Sequence, residues 1–188
     1  MADQFLKELE GSGLREPSKM RPLVIRWIEE LFPRVESITT ETLQQWMEDK
    51  PGEFLLLDTR SQAEFEVSHL PGAILVPPET DAVKEIFKAW FKQEYEGCHR
   101  HIVCYCTVGY RSSMTAQLLS DYLSCETSQN FVTSSKIYNV QGGLVKWASE
   151  RRWMVDQHKK PSSQMHPYND VWAKLLEPEF KVATEEKV

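Results

Sequence analysis

Cys106 stands one residue past the apolar run His101-Ile102-Val103-Cys104-Tyr105. Thr107-Val108-Gly109-Tyr110-Arg111 follow, and a helical pattern opens at Ser112 or Ser113. A loop that feeds a helix turns several backbone N–H groups toward one point, backed by the positive end of the helix dipole. A thiol placed at that point is favoured as its thiolate, the nucleophilic form. Gly109 suits the bend, because a tight loop needs a residue without a side chain. A cysteine at the end of a strand is by default a packing residue. Packing, however, requires neither a glycine three positions on nor an arginine at the helix start. The expectation is a nucleophilic, partly exposed cysteine in an electropositive bowl.

The flanking elements must carry that loop. Phe54-Leu55-Leu56-Leu57-Asp58 is apolar until its last residue, as a strand buried on both faces is. Ala73–Val76, His101–Tyr105 and Lys136–Val140 are further strands, and Val35–Ile38 is a short β-prone piece. Val24, Trp27, Ile28 and Leu31 fall on one helical face over 22–31, stopped by Pro33. Thr39 or Thr40 caps a helix through Met47. Helical spacing recurs over Asp81–Tyr95, Ser112–Tyr122 and, after the Gly142-Gly143 turn, Leu144–Glu150. Strands alternating with helices predict an α/β domain with a central, mainly parallel sheet flanked by helices. The first 17 residues, with Gly11, Gly13 and Pro17, read as a loose arm. Residues 166–176 read as packing on the core through Tyr168, Trp172, Leu175 and Leu176.

Composition excludes several classes. The 22 Lys and Arg against 28 Asp and Glu leave a net charge of −6, which argues against non-specific nucleic-acid binding and against an anionic membrane surface. No run approaches the roughly 20 apolar residues that cross a bilayer. The start of the chain lacks the basic-then-apolar pattern of a secretory signal, and Glu8, Glu10 and Glu16 are unlike a transit peptide. Cys98, Cys104, Cys106 and Cys125 are too few to staple a domain of this size, and their spacing is not that of a zinc site. Reduced thiols, a cytoplasmic location with an organellar one still open, no metal and no cofactor are expected.

The segment Cys106-Thr107-Val108-Gly109-Tyr110-Arg111-Ser112 resembles the active-site loop of rhodanese-like sulfurtransferases. Leu57-Asp58-Thr59-Arg60 with Glu64-Phe65, Ser68-His69-Leu70-Pro71-Gly72-Ala73, and Gln141-Gly142-Gly143-Leu144-Val145-Lys146-Trp147 resemble that family's other markers, in order. Ser68 stands where glycine is usual. The resemblance implies a rhodanese-like domain over 35–151, preceded by an arm and helix in 1–34 and followed by an extension in 152–188. It implies a ping-pong sulfur transfer without a histidine partner. The Cys106 thiolate takes a sulfane sulfur from a small-molecule or protein donor and a thiophilic acceptor removes it. Loop amides from Thr107 to Ser112 hold the anionic persulfide.

The other roles follow from chemistry and position. Arg111 either presents charge to the donor or, the favoured reading, ties the loop to an acidic residue such as Glu64. Asp58 and Arg60 brace the pocket floor, and His69 is a structural hydrogen-bonding residue. Val108 and Tyr110 line the mouth and influence which donor enters. Cys104 is a core residue in preference to a resolving thiol, and Cys98 and Cys125 are structural. With Arg111 as the loop's lone cation, thiosulfate makes a poor donor, and a protein or glutathione persulfide is as good a candidate. Two other functions stay open. One is a non-catalytic rhodanese-like binding or regulatory module. The other is a cysteine phosphatase or arsenate reductase, disfavoured because such loops place five residues between cysteine and arginine where this one places four.

Overall fold

The structure, a computed structural model, describes residues 2–77, 85, 101–126 and 136–182. The helix expected over Asp81–Tyr95, apart from Glu85, and Cys98 lie outside these, as does the side chain of Cys125. Two helices open the chain, α1 (Ala2–Gly11) and α2 (Pro17–Leu31). Then come β1 (Glu36–Ile38), α3 (Thr40–Asp49), β2 (Phe54–Asp58), α4 (Gln62–Val67) and β3 (Ile74–Leu75). β4 (His101–Tyr105), α5 (Tyr110–Glu126), β5 (Ile137–Val140) and α6 (Gly143–Ser149) follow. The C-terminal part adds the two short strands β6 (Met154–Val155) and β7 (Pro161–Ser162), helix α7 (Asp170–Ala173) and a 3-10 turn at Pro178–Phe180.

The five strands of the main sheet run in the order β1-β5-β4-β2-β3, and every pairing is parallel. Their alternation sorts side chains into two layers. Leu56, Val103, Tyr105, Ile38 and Val140 join a core with Val24 and Ile28 of α2, Leu43 of α3, and Leu144 and Trp147 of α6. Leu55, Leu57, Ile102, Cys104 and Ile137 face the other way, onto Ala116 and Leu119 of α5. The long apolar runs are strands because both of their faces are covered.

Two expectations need correction, and one helix lay outside them. Residues 2–11 are a helix rather than a loose arm: Leu9 is buried and Phe5 stacks on Trp27 with ring centroids 4.4 Å apart. Tyr168 does not pack into the core with Trp172, Leu175 and Leu176 but remains 51% exposed. Helix α4 was not anticipated from apolar spacing. It is short, and its signal is instead a capping box, in which Ser61 Oγ accepts from the Glu64 N–H while the Glu64 carboxylate accepts from the Ser61 N–H.

Past the end of β2 lies a charge pair with no solvent exposure. Asp58 Oδ2 accepts from Arg60 Nη2 at 2.7 Å, and Oδ1 accepts from Arg60 Nε at 2.9 Å. Burial opposes the guanidinium charge, but the Asp58 carboxylate more than offsets it and raises the Arg60 pKa above its ordinary value. Arg60 Nη2 also donates to the Ser68 carbonyl at 2.6 Å, drawing the far end of α4 onto the sheet. An Asp58→Ala substitution leaves a buried guanidinium without its partner, which costs about 3–5 kcal/mol. Thermal denaturation should show a fall in midpoint of roughly 10 °C; a midpoint within a degree or two of wild type would refute this account of the pair.

Candidate active site

The loop after β4 sits where open parallel sheets place their ligand sites, beyond the C-terminal ends of the strands. The backbone N–H of Gly109 points at Cys106 Sγ, 3.2 Å away. Gly109 has φ +104, a conformation that disfavours side chains, and an added Cβ would lie 3.4 Å from Asn139 Nδ2. Helix α5 begins at Tyr110, two residues earlier than its spacing suggested, so the bend from sulfur to helix is complete within residues 107–109. Ser113 Oγ donates to the Gly109 carbonyl at 2.7 Å, and Ser112 Oγ donates to Asn139 Oδ1 at 2.7 Å.

A second helix holds the loop from behind. The N–H groups of Leu144 and Val145, in the first turn of α6, donate to the carbonyls of Cys106 and Thr107 at 2.9 and 3.0 Å. Gly143 makes this approach possible. A Cβ there would collide with both of those carbonyl oxygens, and its φ of +55 is again left-handed.

Glu64 and Arg111 lock the outer side. Arg111 Nη1 and Nη2 donate to the two Glu64 carboxylate oxygens at 2.8 and 2.7 Å. The Thr107 hydroxyl donates to Glu64 Oε1 at 2.7 Å and accepts from Arg111 Nη2 at 2.8 Å. Ser61 adds its hydroxyl and its N–H to Oε2. Burial alone would raise the Glu64 carboxyl, but Arg111, Thr107 and Ser61 prevail and hold it at about 2. Asp58 and Arg60 form the buried pair described above. His69 Nδ1 is 2.8 Å from the Phe65 carbonyl, and its ring stacks on Phe65.

The sulfur is more enclosed than expected. Cys106 is 1% exposed, and Thr107, Val108, Gly109 and Ser112 are buried with it. Val108 therefore belongs to the core rather than to a mouth. Tyr110 and Arg111 are the partly exposed members of the loop, and each carries an aromatic ring. Trp27 stacks on Tyr110 at 5.6 Å with Phe32 edge-on at 5.5 Å, and Tyr168 covers the Arg111 guanidinium at 4.3 Å. These rings come from α2, its C-cap residue Phe32 and the segment after β7, so spacing near Cys106 did not reveal them. Cys104 faces the opposite layer, and burial pushes its thiol well above the ordinary range. Sequence reasoning also missed Asn139, a polar residue at the end of an otherwise apolar strand. It left Gly143 as a turn residue, although paired glycines after a strand are a signal of close backbone approach.

A central parallel sheet flanked by helices, with a cysteine loop at the end of its central strand, defines an α/β domain. The rhodanese-like domain family model matches residues 39–150, and the chain belongs to that family. Among curated proteins it is 28% identical over 138 residues to "Adenylyltransferase and sulfurtransferase MOCS3" of Drosophila grimshawi, covering 73% of this chain and 27% of that protein. It is 28% identical over 101 residues to a tRNA uridine(34) hydroxylase of Cronobacter sakazakii, covering 52% and 25% respectively. The chain thus spans about a quarter of the length of these curated relatives. The crystal structure of a thiosulfate sulfurtransferase from Pseudomonas aeruginosa is similar in fold, at 15% identity and TM-score 0.53, over 86% of this chain and 26% of that one. Among the described residues no helix is long and apolar enough to cross a membrane.

The Glu64 carboxylate has a pH signature. Its folded value of about 2 lies below the ordinary 4.5, so its contribution is complete above pH 4.5 and is lost as pH falls toward 2. That contribution is on the order of 3 kcal/mol. Urea unfolding of wild type and Glu64→Gln between pH 2.5 and 6 should show stability curves that converge as the pH drops. Parallel curves across that window would show that the carboxylate is not held in this way.

Proposed function

We propose that the chain is a sulfurtransferase in which the Cys106 thiolate accepts a sulfane sulfur and passes it to a thiophilic acceptor. The observation that carries this reading is the Gly109 N–H on Cys106 Sγ, within a loop of only four residues between Cys106 and Arg111. The thiolate attacks the outer sulfur of the donor, the donor's own bond to that sulfur breaks, and the remainder of the donor leaves with the bonding pair. The terminal sulfur of the new persulfide carries negative charge, which the loop amides between Thr107 and Ser112 would hold, the Gly109 N–H already lying on Cys106 Sγ. A thiol or cyanide then attacks that terminal sulfur, and Cys106 leaves as thiolate. No separate base is needed once the thiolate is populated.

Family membership and the sulfurtransferase named among the relatives support this chemistry. Arg111 supports it over phosphoryl transfer. Its guanidinium is committed by three hydrogen bonds to Glu64 and Thr107. A phosphatase or arsenate reductase would need that cation free. The enclosure of Cys106 favours one alternative, a rhodanese-like module that binds a partner without turnover.

Intact mass spectrometry separates these readings. Incubation with thiosulfate, mercaptopyruvate or glutathione persulfide should add one sulfur atom, about 32 Da, to the wild-type chain and nothing to Cys106→Ser. A wild-type chain that gains no sulfur from any of the three, while its Cys106 still alkylates, would instead mark the binding module. Cys106-dependent hydrolysis of an aryl phosphate would revive the phosphatase.

A further inference from the structure

The two partly exposed residues of the Cys106 loop are covered by rings from outside residues 39–150. Within 106–112 only Tyr110 and Arg111 reach the surface. Tyr110 lies under Trp27 of α2, which is itself stacked beneath Phe5 of α1 with an interplanar angle of 2°. Arg111 lies under Tyr168, which is half exposed and held at φ +72, a left-handed conformation unfavourable for a bulky side chain. A strained residue persists only where its surroundings over-determine it, and such residues cluster at functional sites.

The electrostatics narrow what can enter. Arg111 is the only cation in the loop. Both carboxylate oxygens of Glu64 and the Thr107 hydroxyl already bind it. With Cys106 as thiolate, the trio of Cys106, Glu64 and Arg111 carries a net charge of −1. A dianion meets no uncommitted positive charge in that loop. A donor whose organic part is uncharged meets instead the exposed ring of Tyr168 and the partly exposed rims of Tyr110 and Trp27, to which apolar and amide surfaces adhere.

We propose that Trp27 and Tyr168 are specificity-determining residues that admit an organic persulfide, R–S–SH, in preference to the thiosulfate dianion. This rests on the sulfur-carrier reading of Cys106 and names its donor class. The step balances without an added oxidant or reductant. The Cys106 thiolate attacks the outer sulfur of R–S–SH, the donor S–S bond breaks, R–S⁻ departs, and Cys106–S–SH then releases its proton to water to give the anionic persulfide. The organic part R lies against the rings while the bond exchanges.

The test compares full-length wild type, Trp27→Ala and Tyr168→Ala, with Trp27→Phe and Tyr168→Phe as ring-preserving partners. Each is mixed with thiosulfate or with the persulfide of N-acetylcysteine amide, whose organic part is uncharged, and sulfur gain is followed by intact mass against donor concentration. The alanine variants should raise the half-saturating concentration of the organic persulfide at least fivefold. Thiosulfate loading should hold or rise at least twofold as the covers are removed, and the phenylalanine variants should keep the wild-type ratio. A merely structural role would slow both donors together. That outcome, or one persulfide-to-thiosulfate ratio shared by all five proteins, overturns the proposal while leaving the carrier reading intact. If wild type loads from neither donor, the carrier reading falls with it. Tyr168 is the decisive position, because its exposed ring can be removed without opening the core.

Discussion

One carboxylate, that of Glu64, joins the two halves of the site. It has no solvent exposure, yet it accepts hydrogen bonds from Arg111, Thr107 and Ser61. A buried charge is tolerable only when paired and fully hydrogen-bonded, so these partners have little freedom to be elsewhere. Ser61 and Glu64 start α4, whereas Thr107 and Arg111 belong to the loop that carries Cys106. A local helix-capping device is thereby continued across the sheet into the chemistry. The Asp58–Arg60 pair repeats the logic one layer deeper, anchoring the end of α4 through the Ser68 carbonyl.

Around that junction the loop is gripped on three sides. Asn139 and Gly143 bring β5 and the start of α6 against it, and the rings of α1, α2 and Tyr168 close it from solvent. The first two belong to the family-matched part of the chain, whereas the rings lie outside it. A family core that carries the cysteine loop is thus combined with terminal segments whose rings cover Tyr110 and Arg111. The same core could serve different chemistry or none, depending on what the flanking segments place over it.

The parts legible in the sequence are those set by short-range physics. Phe54–Asp58 and His101–Tyr105 read directly as strands because an unbroken apolar run bounded by turns has no other stable home. Gly109 and the position of Cys106 were legible for the same reason, since a strand end, a glycine and a helix start lie within a few residues. Helix α4 was harder, being too short for periodicity to register. The burial of Cys106 was not legible at all. Nor were the rings over its loop: Trp27 and Tyr168, which cover Tyr110 and Arg111, lie roughly 60 to 80 residues away along the chain, and nothing local records where a remote ring will settle.

The two hydrogen bonds from α6 to the carbonyls of Cys106 and Thr107 also bear on how the site responds to charge. A peptide group is a rigid plane with its C=O and N–H on opposite edges. Holding the carbonyl edges against α6 therefore fixes where the opposite edges aim. Water around a free thiol must reorient each time charge appears or moves, whereas these dipoles already have their direction when the sulfur becomes anionic. The reorganisation that solvent would undergo during each step of the proposed transfer was instead completed once, when the chain folded.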